Sequence, residues 1–185
     1  RDEKIVLAVF VGMVALWGSA ATLGLDSTAI AFLGFGLLLA FGVLTLEDIA
    51  TVHLHPRDPD GMPSQDPAVA ASFIRAVRDE VPDIVICATT SGRLDPELAG
   101  RAAVLDLEGE VRPEMASLTL GSLNFPKQAS VNAPVTIQGL ATRMRDRGIV
   151  PEWEVFDLGM LDYATYLRTK GLLGDPVYVN LLLGS

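Results

Sequence analysis

The sequence predicts two unlike parts: an all-α hydrophobic helical hairpin over residues 1–50 and an α/β domain over residues 51–185. Three observations carry this. The runs Ile5–Leu25 and Ser27–Leu46 hold no charged side chain. From Thr51 onward, short β-branched stretches alternate with amphipathic ones. Asp66-Pro67 and Asp95-Pro96 each pair a helix cap with a proline suited to the first helical position.

Ile5–Leu25 makes roughly 30 Å of helix, about one hydrocarbon thickness, and Ser27–Leu46 is almost as long. Asp26-Ser27 marks the turn, and either residue caps the second helix. Gly12, Gly18, Gly34, Gly36 and Gly42 suit lipid-embedded helices better than exposed ones. Arg1 and Lys4 favour a cytoplasmic start, so the hairpin returns residue 47 to the cytoplasm. The first run is longer than a signal-peptide core and lacks a basic leader and cleavage site. The chain opens on Arg1 rather than Met, so its natural start is expected upstream. The alternative is a buried helical pair in a soluble core. Neither run offers an ionisable residue for an intramembrane ion or proton site.

The second part reads as repeated βα units. Thr51–His55 is a short strand, and Ala68–Val81 is a helix with Val69, Phe73, Ile74 and Val77 at helical spacing. Asp83–Ala88 is a buried strand. Asp95-Pro96 opens a short helix to about Ala103, and Ala116–Leu120 is the next strand. Pro134–Arg147 is a helix stopped by Gly148; Glu152–Phe156 is a strand, Met160–Lys170 a helix and Val177–Leu183 a last strand before Gly184. Such alternation implies a parallel sheet with helical crossovers. A doubly wound sheet and a (βα)8 barrel both fit locally, though five strands cannot close an eight-stranded barrel. The chain lacks a dinucleotide fingerprint and a P-loop.

Charge and cysteine narrow the classes. A net charge of −9 without a basic stripe argues against nucleic acid as a partner. The single Cys87 excludes an internal disulfide and fits a reducing compartment.

The sharpest local signal is His53-Leu54-His55-Pro56-Arg57-Asp58. Residues i and i+2 of a strand share a face, so His53 and His55 point together while Leu54 points to the helices. Pro56 ends the strand there, at the carboxyl end where α/β active sites are built. Two imidazoles on one face suit zinc, given further ligands; taken alone, they read equally as two satisfied histidines near a loop. Other strand ends also finish in polar residues: Thr89-Thr90-Ser91, Ser122 and Asn124, Glu152 and Glu154. Gathered at one rim they make a pocket; singly, the threonines read as turn or cap residues.

The stretches "VHLHPRDPDGMPSQD", "ATTSGR", "RPEMASLTLGSLNF" and "PEWEVFDLGML" together closely resemble the β-keto acid cleavage enzyme family, the 3-keto-5-aminohexanoate cleavage enzymes among them. The resemblance covers roughly residues 51–185. It implies an α/β fold, a partial (βα)8 (TIM-type) barrel, here preceded by the all-α hydrophobic helical hairpin. It also implies a zinc-dependent exchange in which a β-keto acid and acetyl-CoA give acetoacetate and a new acyl-CoA. By this resemblance His53 and His55 are zinc ligands and Glu154 matches a catalytic acidic residue. Thr89, or its neighbour Thr90, holds the substrate carboxylate, and Ser122 and Asn124 line the pocket. Zn2+ is then the cofactor, acetyl-CoA the co-substrate and a small β-keto acid the partner, in a homo-oligomer. The expected location is cytoplasmic, with residues 1–50 as a tether to the inner membrane. The family's first strand with its acidic residue, its third zinc ligand (a Glu) and its catalytic Arg and Asp have no counterparts in this sequence. The expectation is therefore a truncated, inactive enzyme.

Residues 1–50 carry a second resemblance. "EKIVLAVFVGMVALWG" and "LGLDSTAIAFLGFGLLLAFGVLTLEDI" resemble two scaffold helices of the divalent anion–sodium symporter family. That family's Ser-Asn-Thr substrate and sodium motifs are not in this sequence, so its transport chemistry does not carry over.

Overall fold

The structure is a computed structural model and describes residues 2–44, 50–93, 96–126 and 128–182. It divides into two compact units, Arg1–Ala50 and Thr51–Ser185.

The first unit is a helical pair. Helix α1 spans Asp2–Leu23, 22 residues and about 33 Å. It stops at Gly24, whose φ of 66° lets Leu25 N bond back to Ala20 O. Asp26 then caps α2, its carboxylate accepting from Ala29 N at 3.0 Å. Gly34 lies against Met13 so closely that a Cβ there would meet the sulfur at 2.0 Å, a close approach typical of small residues at helix contacts. Helix α2 is shorter than the sequence predicts. It spans Ser27–Ala40, 14 residues, instead of reaching Leu46. Gly42, at φ 64°, closes it, and Val43 N bonds to Leu38 O. Among the described residues only Glu3–Leu23 is long and apolar enough to cross a membrane. Leu46 and the acidic pair after it lie outside the described residues.

The second unit is a parallel half-barrel. Its sheet contains β1 (Thr51–Leu54), β2 (Val85–Ala88), β3 (Met115–Thr119), β6 (Val150–Val155) and β7 (Tyr178–Leu181). All neighbours are parallel and follow chain order. That order is an arc of a (βα)8 barrel, in which each helix returns the chain to the same end of the sheet. Two-residue strands β4 (Leu123–Asn124) and β5 (Ala129–Ser130) form an antiparallel hairpin after β3.

The helices start and stop where their caps dictate. Helix α3 (Pro67–Glu80) has Asp66 accepting from Ala68 N at 2.8 Å and proline at the first turn. Short α4 (Leu98–Ala102) begins after Glu97, which makes no side-chain cap bond, and runs into a 3-10 turn at Ala103–Asp106. The expected cap Asp95 lies outside the described residues. Helix α5 (Pro134–Arg147) ends at Gly148 with φ 62°. Helix α6 (Leu158–Thr169) is capped by Asp157, which accepts from Met160 N at 2.9 Å and starts it two residues earlier than expected.

Strand alternation separates two faces. Outward, Ala88, Ala116, Leu118, Leu120, Trp153 and Val155 pack on the helices in one apolar cluster. Inward, the register aligns His53 with Cys87, Ser117 with Glu152, Thr119 with Glu154, and Glu154 with Asn180. The inner face of this sheet carries His53, Cys87, Ser117, Thr119, Glu152, Glu154 and Asn180, and the site is built there.

Candidate functional site

His53 and His55 stand on the inner side at the carboxyl end of β1. Their rings stack in parallel, centroids 4.8 Å apart and planes 5° apart. His53 is half-buried and His55 exposed. Behind His53 lies Glu152, only 4% exposed. Its Oε2 accepts from His53 Nδ1 at 2.7 Å and from the Cys87 thiol at 3.3 Å; its Oε1 accepts from Asn180 Nδ2 at 3.2 Å. One carboxylate thus ties together β1, β2, β6 and β7.

That grip directs the imidazole. With Nδ1 committed to Glu152, the other nitrogen of His53 is left for a further partner. His53 Nε2 is buried and has no hydrogen-bond partner among the described residues. A buried polar atom without a partner costs about 1–3 kcal/mol; Arg78 Nε, Arg101 Nη1 and Trp153 Nε1 share this state, and of the four only the imidazole nitrogen is a metal-ligand type. A donor atom each from His53, Cys87 and Glu152 lie within 4.8 Å of one another. Imidazole is a zinc ligand, while Glu152, bonded to His53 Nδ1, and the Cys87 thiol, bonded to Glu152, stand behind it as supports. The carboxylate–imidazole pair is also the usual support of a metal-bound histidine. The residues present therefore fit a zinc-type ion.

The charges around the site follow from burial and contact. Burial pulls His53 down, but the Glu152 hydrogen bond and the charges of Glu152 and Glu154 carry its pKa above the ordinary 6.5. Burial, with His53, Arg93 and Arg57 nearby, holds His55 below it. Glu152 is pushed up by burial and pulled further down by His53, Cys87 and Asn180, ending below the usual carboxylate range. Glu154 ends above it: burial dominates, and Glu152 adds to it against Thr119, His53 and Arg93. Burial next to Glu152 raises the Cys87 thiol far beyond its ordinary value, so it acts as a donor and not as a nucleophile.

In front of these groups is a cavity of about 290 Å³, lined among others by His53, His55, Thr89, Thr119, Glu154 and Asn180. Thr119 Oγ1 donates to Glu154 Oε2 at 2.5 Å. Glu154 faces away from Trp153 and Val155, as strand alternation requires.

The other predicted residues fall elsewhere. Thr90 is not on this cavity; it is 2% exposed and its hydroxyl donates to Ser117 O at 2.6 Å. Ser122, expected along the pocket, instead accepts from Asn132 N at 2.8 Å. Asn124 is exposed on the β4–β5 hairpin, where Leu123 and Phe125 supply the cavity wall. Thr90 and Ser122 belong to a brace centred on buried Arg101. Arg101 donates to Thr90 O and to Asn132 Oδ1, both at 2.8 Å, and Asn132 Nδ2 donates to Gly121 O at 2.9 Å. The brace locks three strand-end loops together. Gly92 leaves room for it, since a Cβ there would meet Arg101 Nη1 at 2.8 Å.

Cys87, Thr119 and Asn180 were not among the expected site residues, and Glu152 was expected only as a rim residue. Ser117, Thr119, Glu152 and Glu154 alternate with large apolar residues in their strands, which was a readable sign. Cys87 gave none, because it reads as one more apolar residue of a buried strand.

Comparison with known proteins finds relatives of the second unit. The profile of the beta-keto acid cleavage enzyme family matches residues 49–185. A 3-keto-5-aminohexanoate cleavage enzyme of Fusobacterium nucleatum is 36% identical over 138 residues, covering 72% of this chain and 48% of that protein. A 3-oxoadipate:acetyl-CoA acetyltransferase of Cupriavidus necator is 36% identical over 135 residues, covering 72% of this chain and 45% of that protein. The chain therefore spans about half the length of the curated relatives it matches. The solved structure of ObcA in a ternary complex with a C4-CoA adduct and oxalate superimposes with a TM-score of 0.62 at 28% identity, over 72% of this chain and 33% of that one. By this profile match, the chain belongs to the β-keto acid cleavage enzyme family.

Proposed function

We propose that residues 51–185 contribute the metal-holding and proton-handling half of a zinc-dependent β-keto acid cleavage site. In the reaction, the acyl group of a β-keto acid passes to coenzyme A. The two-carbon remainder joins the acetyl group of acetyl-CoA, giving acetoacetate. The single observation that carries this reading is the His53–Glu152 pair, which leaves a buried imidazole nitrogen unpartnered beside His55 and Glu154.

His53 and His55 would hold the ion, which when bound supplies Lewis acidity toward the oxygen of the keto group. The chain's own groups do the rest. Glu152 fixes the His53 ring. Glu154, kept above the usual carboxylate range, holds or releases a proton at its carboxylate, with Thr119 fixing one oxygen. Thr89 at the cavity wall offers a hydroxyl to the keto acid's carboxylate. Relatives named for 3-keto-5-aminohexanoate cleavage and for acetyl transfer between 3-oxoadipate and acetyl-CoA support the reaction class.

The test is zinc content after dialysis, together with acetoacetate formed from acetyl-CoA and a panel of β-keto acids. Zinc bound by the parent chain and lost in both His53→Ala and His55→Ala supports the reading. Equal zinc in parent and variants refutes it.

A second reading is a membrane fragment of a sodium-coupled anion transporter. It draws on helix α1, 22 residues long with Val6, Leu7, Phe10, Val11 and Val14 exposed along it, and on the sequence resemblance of residues 1–50. The two readings combine if α1 tethers a cytoplasmic catalytic unit to the inner membrane. Flotation of the full chain with liposomes tests the tether: a chain left entirely in the bottom fraction excludes it. Light scattering of the chain in detergent tests the expected homo-oligomer.

A further inference from the structure

Beside the cavity of His53 and Glu154 is a second one of about 320 Å³. Its walls are the loop that follows β1 and the loop that follows β2. Both loops are fixed. Ser64 N bonds to Pro56 O, and Gln65 Nε2 donates to Ser91 O at 2.8 Å, joining one loop to the other. The two cavities share His55, Thr89, Ser91 and Arg93, so a ligand can reach from one into the other.

Arg57 and Arg93 line this second cavity, and no carboxylate does. Arg78, Arg143, Arg145, Arg147 and Arg168 each pair with an aspartate or glutamate. Among the described residues, Arg57 and Arg93 have no such partner, a state they share with Arg75, Arg101 and Arg112, but only these two line this cavity. They are nevertheless held in place. Arg57 Nη1 donates to Gly61 O at 2.7 Å, and Gly61, at φ 79°, makes the turn that brings its carbonyl there. The Arg93 guanidinium lies 4.1 Å from the centroid of the Phe125 ring. Stacking on an aromatic face holds the guanidinium plane while leaving its N–H edge free to donate. Two such groups lining one cavity offer N–H donors to an oxyanion that enters it.

We propose that this second cavity is an oxyanion subsite, in which Arg57 and Arg93 receive a phosphate or carboxylate of the molecule whose reacting end lies beside His53 and Glu154. The inference rests on the proposed function only for that placement of the reacting end. The anion has two sources in such a reaction: the phosphates of coenzyme A and the carboxylate of the keto acid.

The experiment titrates the full chain, stripped of metal by a chelator, with adenosine 3′,5′-bisphosphate and separately with acetoacetate. The same titrations are run on Arg57→Gln, Arg93→Gln, the double variant and, as a control for charge alone, Arg168→Gln, with circular dichroism checking each fold. Removing one charge-assisted contact should weaken binding about tenfold or more. The expected result is that loss for at least one of the two ligands in each variant of Arg57 and Arg93, with Arg168→Gln binding like the parent. Loss confined to the bisphosphate names the coenzyme A phosphates; loss confined to acetoacetate names the keto-acid carboxylate; loss of both means that the subsite takes either. The proposal is overturned if neither ligand binds the parent chain. It is also overturned if the double variant binds both within about twofold of the parent, or if Arg168→Gln weakens binding as much as the double variant. A chain that fails to take up zinc yet shows the arginine-dependent binding would refute the zinc reading and leave the subsite standing.

Discussion

Replacing Glu152 by glutamine tests how the site is held. The substitution keeps the shape and removes the charge. His53 Nδ1 would still find an oxygen acceptor, but the 2.7 Å charge-assisted bond becomes a neutral one. Bonds to charged groups contribute about 1.5–3 kcal/mol, roughly twice the neutral value. The amide also sets its own N–H against the Cys87 thiol or against Asn180 Nδ2, both of which donate to the carboxylate in the parent. The bond itself then loses about 0.75–1.5 kcal/mol, and the amide's misdirected N–H adds to this, approaching the 10–100-fold in metal affinity typical of such supporting carboxylates. Chelator competition with zinc, run on parent and variant, reads this directly. A loss in that range assigns Glu152 the role of holding the ring. A zinc affinity within about twofold of the parent, with the fold intact by circular dichroism, would refute the reasoning that leads from the buried Nε2 to a metal.

Two further predictions concern stability. Leu118 is fully buried beneath the helices, so Leu118→Ala should cost about 2–5 kcal/mol in denaturant unfolding without changing zinc affinity; a loss under about 1 kcal/mol would mean that the outer layer is loosely packed. Glu114 accepts from Arg78 at 2.6 Å and from Ile86 N at 2.9 Å. Burial pushes its carboxyl up, but these partners bring it below the ordinary 4.5. A folded-state pKa below the unfolded one gives stability that is complete above about 4.5 and lost as the pH falls through the folded value. The acid limb of the stability curve should therefore be shallower in Glu114→Gln, and superimposable limbs would count against the pair.

Parts of this were legible in the sequence because they are local. Proline after an N-cap aspartate marked α3, and alternation put His53 with His55 and turned Glu154 from Trp153. Those rules need only neighbours in the chain. What stayed hidden depends on register between strands distant in sequence. Cys87, Glu152 and Asn180 meet because three parallel strands align, and no single segment carries that information. Thr89 and Thr90 sit at the turn out of β2, where the alternation rule decides between neighbours only once the strand's last paired residue is known. The β4–β5 hairpin has two-residue strands, too short to show a period. Helix α2 looked long because Gly42 reads as one more small residue of an apolar run, whereas its left-handed backbone ends the helix.

The two faces of the sheet divide the requirements of folding from those of chemistry. Strands β2, β3 and β6 contribute apolar residues outward to a single buried cluster with α5 and α6, whereas Val179 and Leu181 of β7 are exposed. The half-barrel can therefore carry a buried carboxylate, a thiol and an unpartnered imidazole nitrogen on its inner side, since its stability is supplied on the outer side. A nearly buried glutamate is costly unless each oxygen is satisfied, and Glu152 has three donors on its two oxygens. Glu154, two residues on, has Thr119 as its one side-chain hydrogen-bond donor among the described residues and stays easier to protonate. One strand thus presents a carboxylate fixed in its charge and another free to change it. The substitutions separate accordingly. Leu118→Ala should lower stability and spare the metal, whereas Glu152→Gln should weaken the metal with the smaller effect on the fold. If both properties fell together in both variants, the faces would not be independent, and the inner groups would have to be read as part of the core.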